Sequence, residues 1–398
     1  MAKGLFASTT PKTRSATGHQ RLLFVDAARG VAMLFVLLSH FNTVYFHGLH
    51  ETTLPALVAR ITMVASPTFM IISGSLLGFL FATRPSRVAA LKARLTDRGL
   101  FLLTVGHILI TVAHVIYRGS VRWVFITDAV GFSMIAGAYL IDKVTARRRL
   151  ALAAVLYLAS WVVLGIWNPD PLTVRFIKQA LVGPHAASLY EYNFPLLPWF
   201  SLYLASTVIG ERLGQLFVAG DRRGMSQLLA RLSVGGIGLA IALRGFFEIG
   251  KALVGYGRLT HVAGLLVSAQ QKVPPGPIYV MFYGGLGVAI LAGLHALECR
   301  RAFVRGLRAA SLVGQSSLFI FIAQYYVYFG LMPRLHLGVS AFWPVYFLIS
   351  VAFIGLATYA YHRLDGGKFI TVGYVQMRDW LNAQLVKRQL AGSHAPFL

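Results

Sequence analysis

The hydrocarbon core of a bilayer admits only helices or closed barrels, because every backbone N–H and C=O there must be paired internally. This chain presents, about ten times over, a stretch of ~20 mostly apolar residues, the length one helix needs to cross. The stretches fall at 22–46, 56–82, 99–117, 122–141, 150–167, 194–213, 232–250, 277–297, 309–331 and 340–362. They define the expected fold: all-α, a polytopic membrane bundle of about ten transmembrane helices. Composition agrees, since charged residues make up only 13% of the 398, against about 25% in a soluble protein. Residues 1–21, with Lys3, Lys12, Arg14 and Arg21 among Ser, Thr and Gly, read as a disordered cytoplasmic tail. Residues 22–362 form the membrane domain, and 363–398 a partly helical cytoplasmic tail. No cleavable signal peptide is expected, because the first apolar run continues past any h-region.

The net charge of +24 would suit a nucleic acid, but its distribution points elsewhere. The clusters "RPSRVAALKARLTDR", "KVTARRR", "GDRRG" and "ECRRAFVRGLR" fall in alternate connections. With both termini cytoplasmic, about three times as many Lys and Arg lie inside as outside, which is the positive-inside rule. A lipid bilayer, and no nucleic acid, is therefore the expected partner. The single Cys299 leaves no disulfide framework, and no metal site is expected. Residues 168–193 and 251–276 are expected to cap the outer face, since a further crossing at 251–276 would put "ECRRAFVRGLR" outside. No internal repeat is evident, which counts against a transporter built from repeats.

Against this background the polar residues within the apolar runs stand out. Residues 24–40 read "FVDAARGVAMLFVLLSH", and a charge at the centre of a span costs at least ~2.5–3.5 kcal/mol. At helical periodicity Asp26, Arg29 and His40 share one face, with Arg29 and His40 ~16 Å apart along the axis. Arg29 then lies in the inner third and His40 in the outer third. The third run, "TVGHILITVAHVIYR", places Thr104, His107, Thr111, His114 and Arg118 in one stripe. His107 falls near the depth of Arg29, and His114 near that of His40. Asp128, Gln324, Arg244 and Glu248 also fall in the outer third. Arg244 and Glu248, four apart, read as a local ion pair; Asp26 and Arg29 read equally as a local pair or part of a site. His40, His114 and Asp128 at one depth form an active site or a conduction path. The residues alone leave an enzyme and a proton-coupled transporter both open.

The motifs bear a family resemblance. "VDAARG…SH", at Asp26, Arg29, Gly30 and His40, resembles the first span of the integral-membrane acyltransferases. These comprise acyltransferase family 3, the periplasmic-glucan succinyltransferases and the heparan-α-glucosaminide N-acetyltransferases. "SPTFMIISGSLLGF", at Pro67, Thr68, Phe69, Ser73 and Gly74, resembles their second-span signature. "YNFPLLPWF", with Pro195, Pro198 and Trp199, resembles an element of bacterial proteins like the heparan acetyltransferases. "VGQSSLFIFIAQ" resembles a late element that usually ends in His, where this chain has Gln324. Gln hydrogen-bonds but cannot act as a base.

The resemblance implies an enzyme that takes an acyl group, acetyl or succinyl, from cytoplasmic acyl-CoA. The acceptor would be a hydroxyl or amine of an extracytoplasmic saccharide. The separation of Arg29 from His40 is comparable to an extended pantetheine arm. On this reading acyl-CoA is a co-substrate held by Arg29, Asp26, His107 and Ser73, with guanidinium forks on its phosphates. His40 serves as general base or transient acyl carrier, Asp128 orients an imidazole, and His114 assists. Trp199, Gln324, Glu191 and Asn42 are the candidate acceptor residues, with Tyr190 and Tyr192 beside Glu191. Ser73 has no nucleophile-elbow context and also reads as a small packing residue. The expected location is a bacterial inner membrane, with homo-oligomerisation left open. The alternatives are a proton-coupled transporter or flippase for a sugar-linked or amphiphilic substrate, and a member that has lost catalysis through the change at Gln324.

Overall fold

Apolar runs of this length satisfy their own backbone groups by coiling, and each of the ten stretches is helical in the computed structural model of the protein. The structure describes residues 22–49, 52–118, 124–167, 169, 171–183, 194–254, 264, 266–363, 373–375, 378–379 and 382. Among them Lys272 and Pro275 form an isolated β-bridge.

The chain opens with α1 (Leu23–Tyr45), then α2 (Thr53–Thr62) and α3 (Ala65–Thr83), which break at Met63–Val64. Helix α4 (Val88–Phe101) passes through a π-helical segment, Leu102–Gly106, into α5 (His107–Arg118). There follow α6 (Ile126–Leu140), α7 (Ala146–Ile166), the short α8 (Leu172–Leu181), α9 (Leu196–Val218) and the 33-residue α10 (Arg222–Val254). The last four are α11 (Pro277–Cys299), α12 (Val304–Gln315), α13 (Ser317–Tyr325) and α14 (Trp343–Arg363), with a second π-helical segment, Tyr326–Leu331, directly after α13.

Eight helical stretches are long and apolar enough to cross a membrane. Two of the ten sequence stretches fall short for identifiable reasons. Helix α6 has only 15 residues, and Glu211 and Arg212 lower the hydropathy of the 23-residue α9. Helix α10 begins ten residues before the expected span, at Arg222. The outer cap expected over 168–193 contains α8. The rest of that cap from 184, and residues 255–263 and 265 of the second cap, lie outside the described residues, as do residues 1–21 and most of 364–398.

The helices at the periphery present large apolar side chains outward: Val234 and Phe246 are 72% exposed, and Leu253 81%. Such a surface is unfavourable in water and compatible with lipid chains. The chain is an integral membrane protein.

Inside the bundle, several helix pairs touch backbone to backbone through glycine. In α3 and α9, a Cβ on Gly74, Gly78 or Gly210 would overlap the carbonyl oxygen of Tyr203, Thr207 or Ser75 respectively. In α1 and α12, Gly30 lies against the Ala310 carbonyl and Gly314 against that of Asp26. In α4 and α6, Gly99 lies against the Gly131 carbonyl. Lipid removes much of the hydrophobic drive for helix association, so close van der Waals contact of this kind has to supply it. A polar tie adds to the packing of α7 on α9. Arg149, 1% exposed, donates to Thr207 Oγ1 at 2.7 Å and to the Val144 carbonyl at 3.1 Å, and forms an ion pair with Glu211.

Candidate functional site

Helices α1, α3, α4, α6 and α9 of these pairs, together with α13, line a cavity of about 240 Å³. Its walls are apolar, with Met33 from α1, Phe69 and Leu76 from α3, Leu95 from α4 and Val130 from α6. Three arginines interrupt them. Arg94 and Arg98, one helical turn apart on α4, and Arg29 on α1 all line the cavity, and the charge of Arg98 is within range of the other two. Arg29 Nη2 donates to Ser317 Oγ at 3.0 Å, which aims the guanidinium across the cavity wall. Asp26 lies one turn away and interacts electrostatically with Arg29. Guanidinium groups of like charge gathered in an apolar cleft repel one another unless an anion joins them, and phosphate oxygens match their fork geometry. Ser73 also lines the cavity, as does Thr127, whose buried Oγ1 has no hydrogen-bond partner among the described residues. An apolar slot with arginines in its wall and an unsatisfied hydroxyl suits a long arm that ends in anionic groups.

His40 lies one layer behind this wall. Phe321 of α13 faces the cavity and also packs on the imidazole, with ring centroids 6.3 Å apart. Tyr325 and Phe329 approach the same imidazole edge-on at 5.2 and 5.3 Å. His40 Nδ1 lies 2.7 Å from Gln324 Oε1, and Gln324 Nε2 donates to the Phe321 carbonyl at 3.1 Å. Gln324 is fully buried, so its whole polar capacity on this side is directed at His40. The segment that follows is π-helical, a distortion frequent at functional sites.

Asp128, grouped by depth with His40 and His114, meets a different imidazole in the structure. Asp128 Oδ2 instead meets His107 Nδ1 at 2.9 Å and accepts the backbone N–H of Phe125 at 2.7 Å. That second bond explains the position of Asp128, which reaches back from the first turn of α6 to close the helix start. His107 follows the first π-helical segment immediately, and the change of register there removes Thr104 from the expected stripe. Thr104 is exposed and bonds the Tyr374 hydroxyl. His114 is 1% exposed and packs beside Phe125 and Phe329.

The candidate acceptor residues do not converge. Asn42 Nδ2 donates to the Pro55 carbonyl at 3.1 Å, tying α1 to α2. Trp199 is fully buried between Phe194 and Tyr279 and does not line the cavity, so the structure gives it a packing position. Glu191, with Tyr190 and Tyr192, lies outside the described residues. Arg244 and Glu248 form an ion pair on the exposed face of α10, far in sequence from the site, with both side chains more than 40% exposed. The sequence reading missed Arg94, Arg98, Ser317 and Phe321 as individuals. The signal for the arginines was present, two cations four apart in an otherwise amphipathic stretch, but it was absorbed into the count of inner charges.

Residues 21–236, just over half of the chain, match the family described as heparan-alpha-glucosaminide N-acetyltransferase, catalytic. Of the three families that the motifs resemble, this is the one matched. The matched region includes Arg29, His40, Arg94, Arg98, His107 and Asp128, and it ends before Gln324. No curated protein sequence matches the chain.

Proposed function

The chain belongs to the heparan-α-glucosaminide N-acetyltransferase catalytic family, and from that premise we propose that it transfers an acetyl group from cytoplasmic acetyl-CoA to a saccharide amine or hydroxyl outside. The observation that carries this reading is the cavity, with Arg29, Arg94 and Arg98 among apolar walls and with Phe321 shared between the cavity and His40. In this reading the membrane is a bacterial inner membrane, crossed ten times, with both termini in the cytoplasm. The uneven distribution of Lys and Arg supports that orientation.

The roles follow from the residue chemistry. Arg29, Arg94 and Arg98 hold the phosphates, and the apolar walls accommodate the arm and keep water from the thioester. His40 takes the proton of the acceptor amine or hydroxyl as its N or O attacks the thioester carbonyl carbon. The carbon–sulfur bond then breaks, and the proton on the imidazole passes to the departing thiolate. Base catalysis of this kind contributes about 10²–10⁴-fold. The half-buried His107, paired with the buried Asp128 next to the cavity-lining Thr127, and His114 on the same helix serve proton exchange toward the outer face.

The test uses purified protein in proteoliposomes, with release of free thiol from acetyl-CoA followed with and without an amino sugar. Thiol release that depends on the amino sugar and is lost in His40→Ala supports the reading. Succinyl-CoA in parallel decides the acyl group. Movement of a saccharide across the vesicle membrane without consumption of acetyl-CoA would replace this reading with transport.

A further inference from the structure

The hydrogen-bond geometry around Gln324 carries information about which nitrogen of His40 does the chemistry. A glutamine amide has one accepting and one donating end, and the two are told apart only by what surrounds them. Gln324 Nε2 lies 3.1 Å from the Phe321 carbonyl, an atom that can only accept. The amide is therefore oriented with Oε1 toward His40, and that oxygen can only accept too. The reversed amide would set two acceptors against each other at Phe321 in a fully buried position, at the cost of an unsatisfied pair. The nitrogen 2.7 Å from Oε1, His40 Nδ1, must then be the one that bears hydrogen.

We propose that Gln324 is a positioning residue that fixes His40 as the Nδ1–H tautomer and so makes Nε2 the basic nitrogen of the site. This rests on the reading of His40 as the base. The relationship resembles the way a carboxylate orients a catalytic imidazole, but with a neutral acceptor. The neutrality has a consequence. A carboxylate would stabilise the imidazolium and a histidine would relay its proton, whereas an amide locked to Phe321 does neither. The proton taken up at Nε2 has no exit through residue 324. The aromatic rings of Phe321, Tyr325 and Phe329 hold the imidazole plane while Gln324 holds its rotation.

The experiment combines a spectroscopic readout with kinetics. Histidine-selective ¹⁵N labelling of the full chain, with the His40 signals assigned by difference from His40→Ala, reports which nitrogen is protonated in the neutral ring. The expected result is Nδ1–H in wild type and a mixture of tautomers in Gln324→Leu. In the thiol-release assay Gln324→Leu is expected to lose about 10²-fold in kcat, with KM for acetyl-CoA unchanged. Gln324→Glu keeps an acceptor toward His40 but sets a carboxylate oxygen against the Phe321 carbonyl, so it is expected to cost stability, to keep the Nδ1–H tautomer and, with the carboxylate ionised, to move the acid limb of kcat to higher pH. A wild-type ring protonated at Nε2, or a Gln324→Leu protein with unaltered kcat and pH profile, overturns the proposal. If the wild type releases no thiol, the acyl-transfer reading fails, and the nitrogen signals still decide whether Gln324 sets the tautomer.

Discussion

Phe321 packs against His40 with its ring centroid 6.3 Å from the imidazole, while its other side faces the cavity. The aromatic ring thus bounds the slot on the side of the base, and the thioester has to reach its edge for the two to meet. Truncating it joins the two spaces. In Phe321→Ala, hydrolysis of acetyl-CoA without saccharide is expected to rise several-fold, because water gains a route to the thioester, while saccharide-dependent transfer falls. Thiol release with and without amino sugar measures both. Unchanged hydrolysis together with unchanged transfer would remove Phe321 from the wall between the two spaces.

Arg94 and Arg98 are expected to act on affinity. Each charge-assisted contact to phosphate is worth about 1.5–3 kcal/mol. Arg94→Ala and Arg98→Ala should therefore each raise KM for acetyl-CoA by about tenfold or more, with kcat little changed. The control is a donor shortened to acetyl-pantetheine, which lacks the phosphates. With that donor both variants should match the wild type, and an equal loss with either donor would mean that the arginines serve only the fold.

The glycine contacts predict an asymmetry of tolerance. Gly210→Val forces side-chain carbons into the Ser75 backbone, which cannot move aside as a flexible side chain can. A loss of about 3 kcal/mol or more is expected, beyond ordinary overpacking of a core. At Gly238 or Gly293, helical positions with open space around the Cβ site, replacement by Ala should be neutral or slightly stabilising. Thermal unfolding in detergent, followed by monodispersity, separates the two classes.

Two ion pairs should differ by the same logic. Arg149→Ala strands the buried Thr207 hydroxyl and leaves the partly exposed Glu211 without its partner, so the loss should approach the lower end of the roughly 3–5 kcal/mol that breaking a buried pair costs. Arg244→Ala breaks a pair whose partners are both more than 40% exposed, which is worth about 1 kcal/mol at most. The melting temperatures of the two variants should rank accordingly, and equal shifts would contradict the burial argument.

The parts legible in sequence were those set by short-range rules. Apolar run length fixes where helices form, and helical periodicity puts Arg29 and His40 on the face of α1 that meets α13, where Ser317 and Gln324 receive them. Pairing between distant segments was not legible. His40 and Gln324 are 284 positions apart, and their shared depth narrows the choice of neighbours without making it. Depth groups Asp128 with His40 and His114, whereas a local cap decides its neighbour: the Phe125 N–H fixes its carboxylate next to His107. The π-helical segment at Leu102–Gly106 defeats any reading based on a constant 3.6-residue period, which is why Thr104 was misplaced. The spacings Gly74-x₃-Gly78 and Gly210-x₃-Gly214 were visible throughout and signal close helix contact.

The glycine seams also limit how the cavity can change shape. Two helices whose backbones touch have no layer of side chains between them to yield, so each seamed pair moves as one plate. Helices of these pairs line the cavity together with α13. Admission of a long flexible arm is then a matter of shearing a few stiff bodies. The protein has little internal freedom of its own to surrender when that happens, and the ordering cost of binding falls chiefly on the ligand.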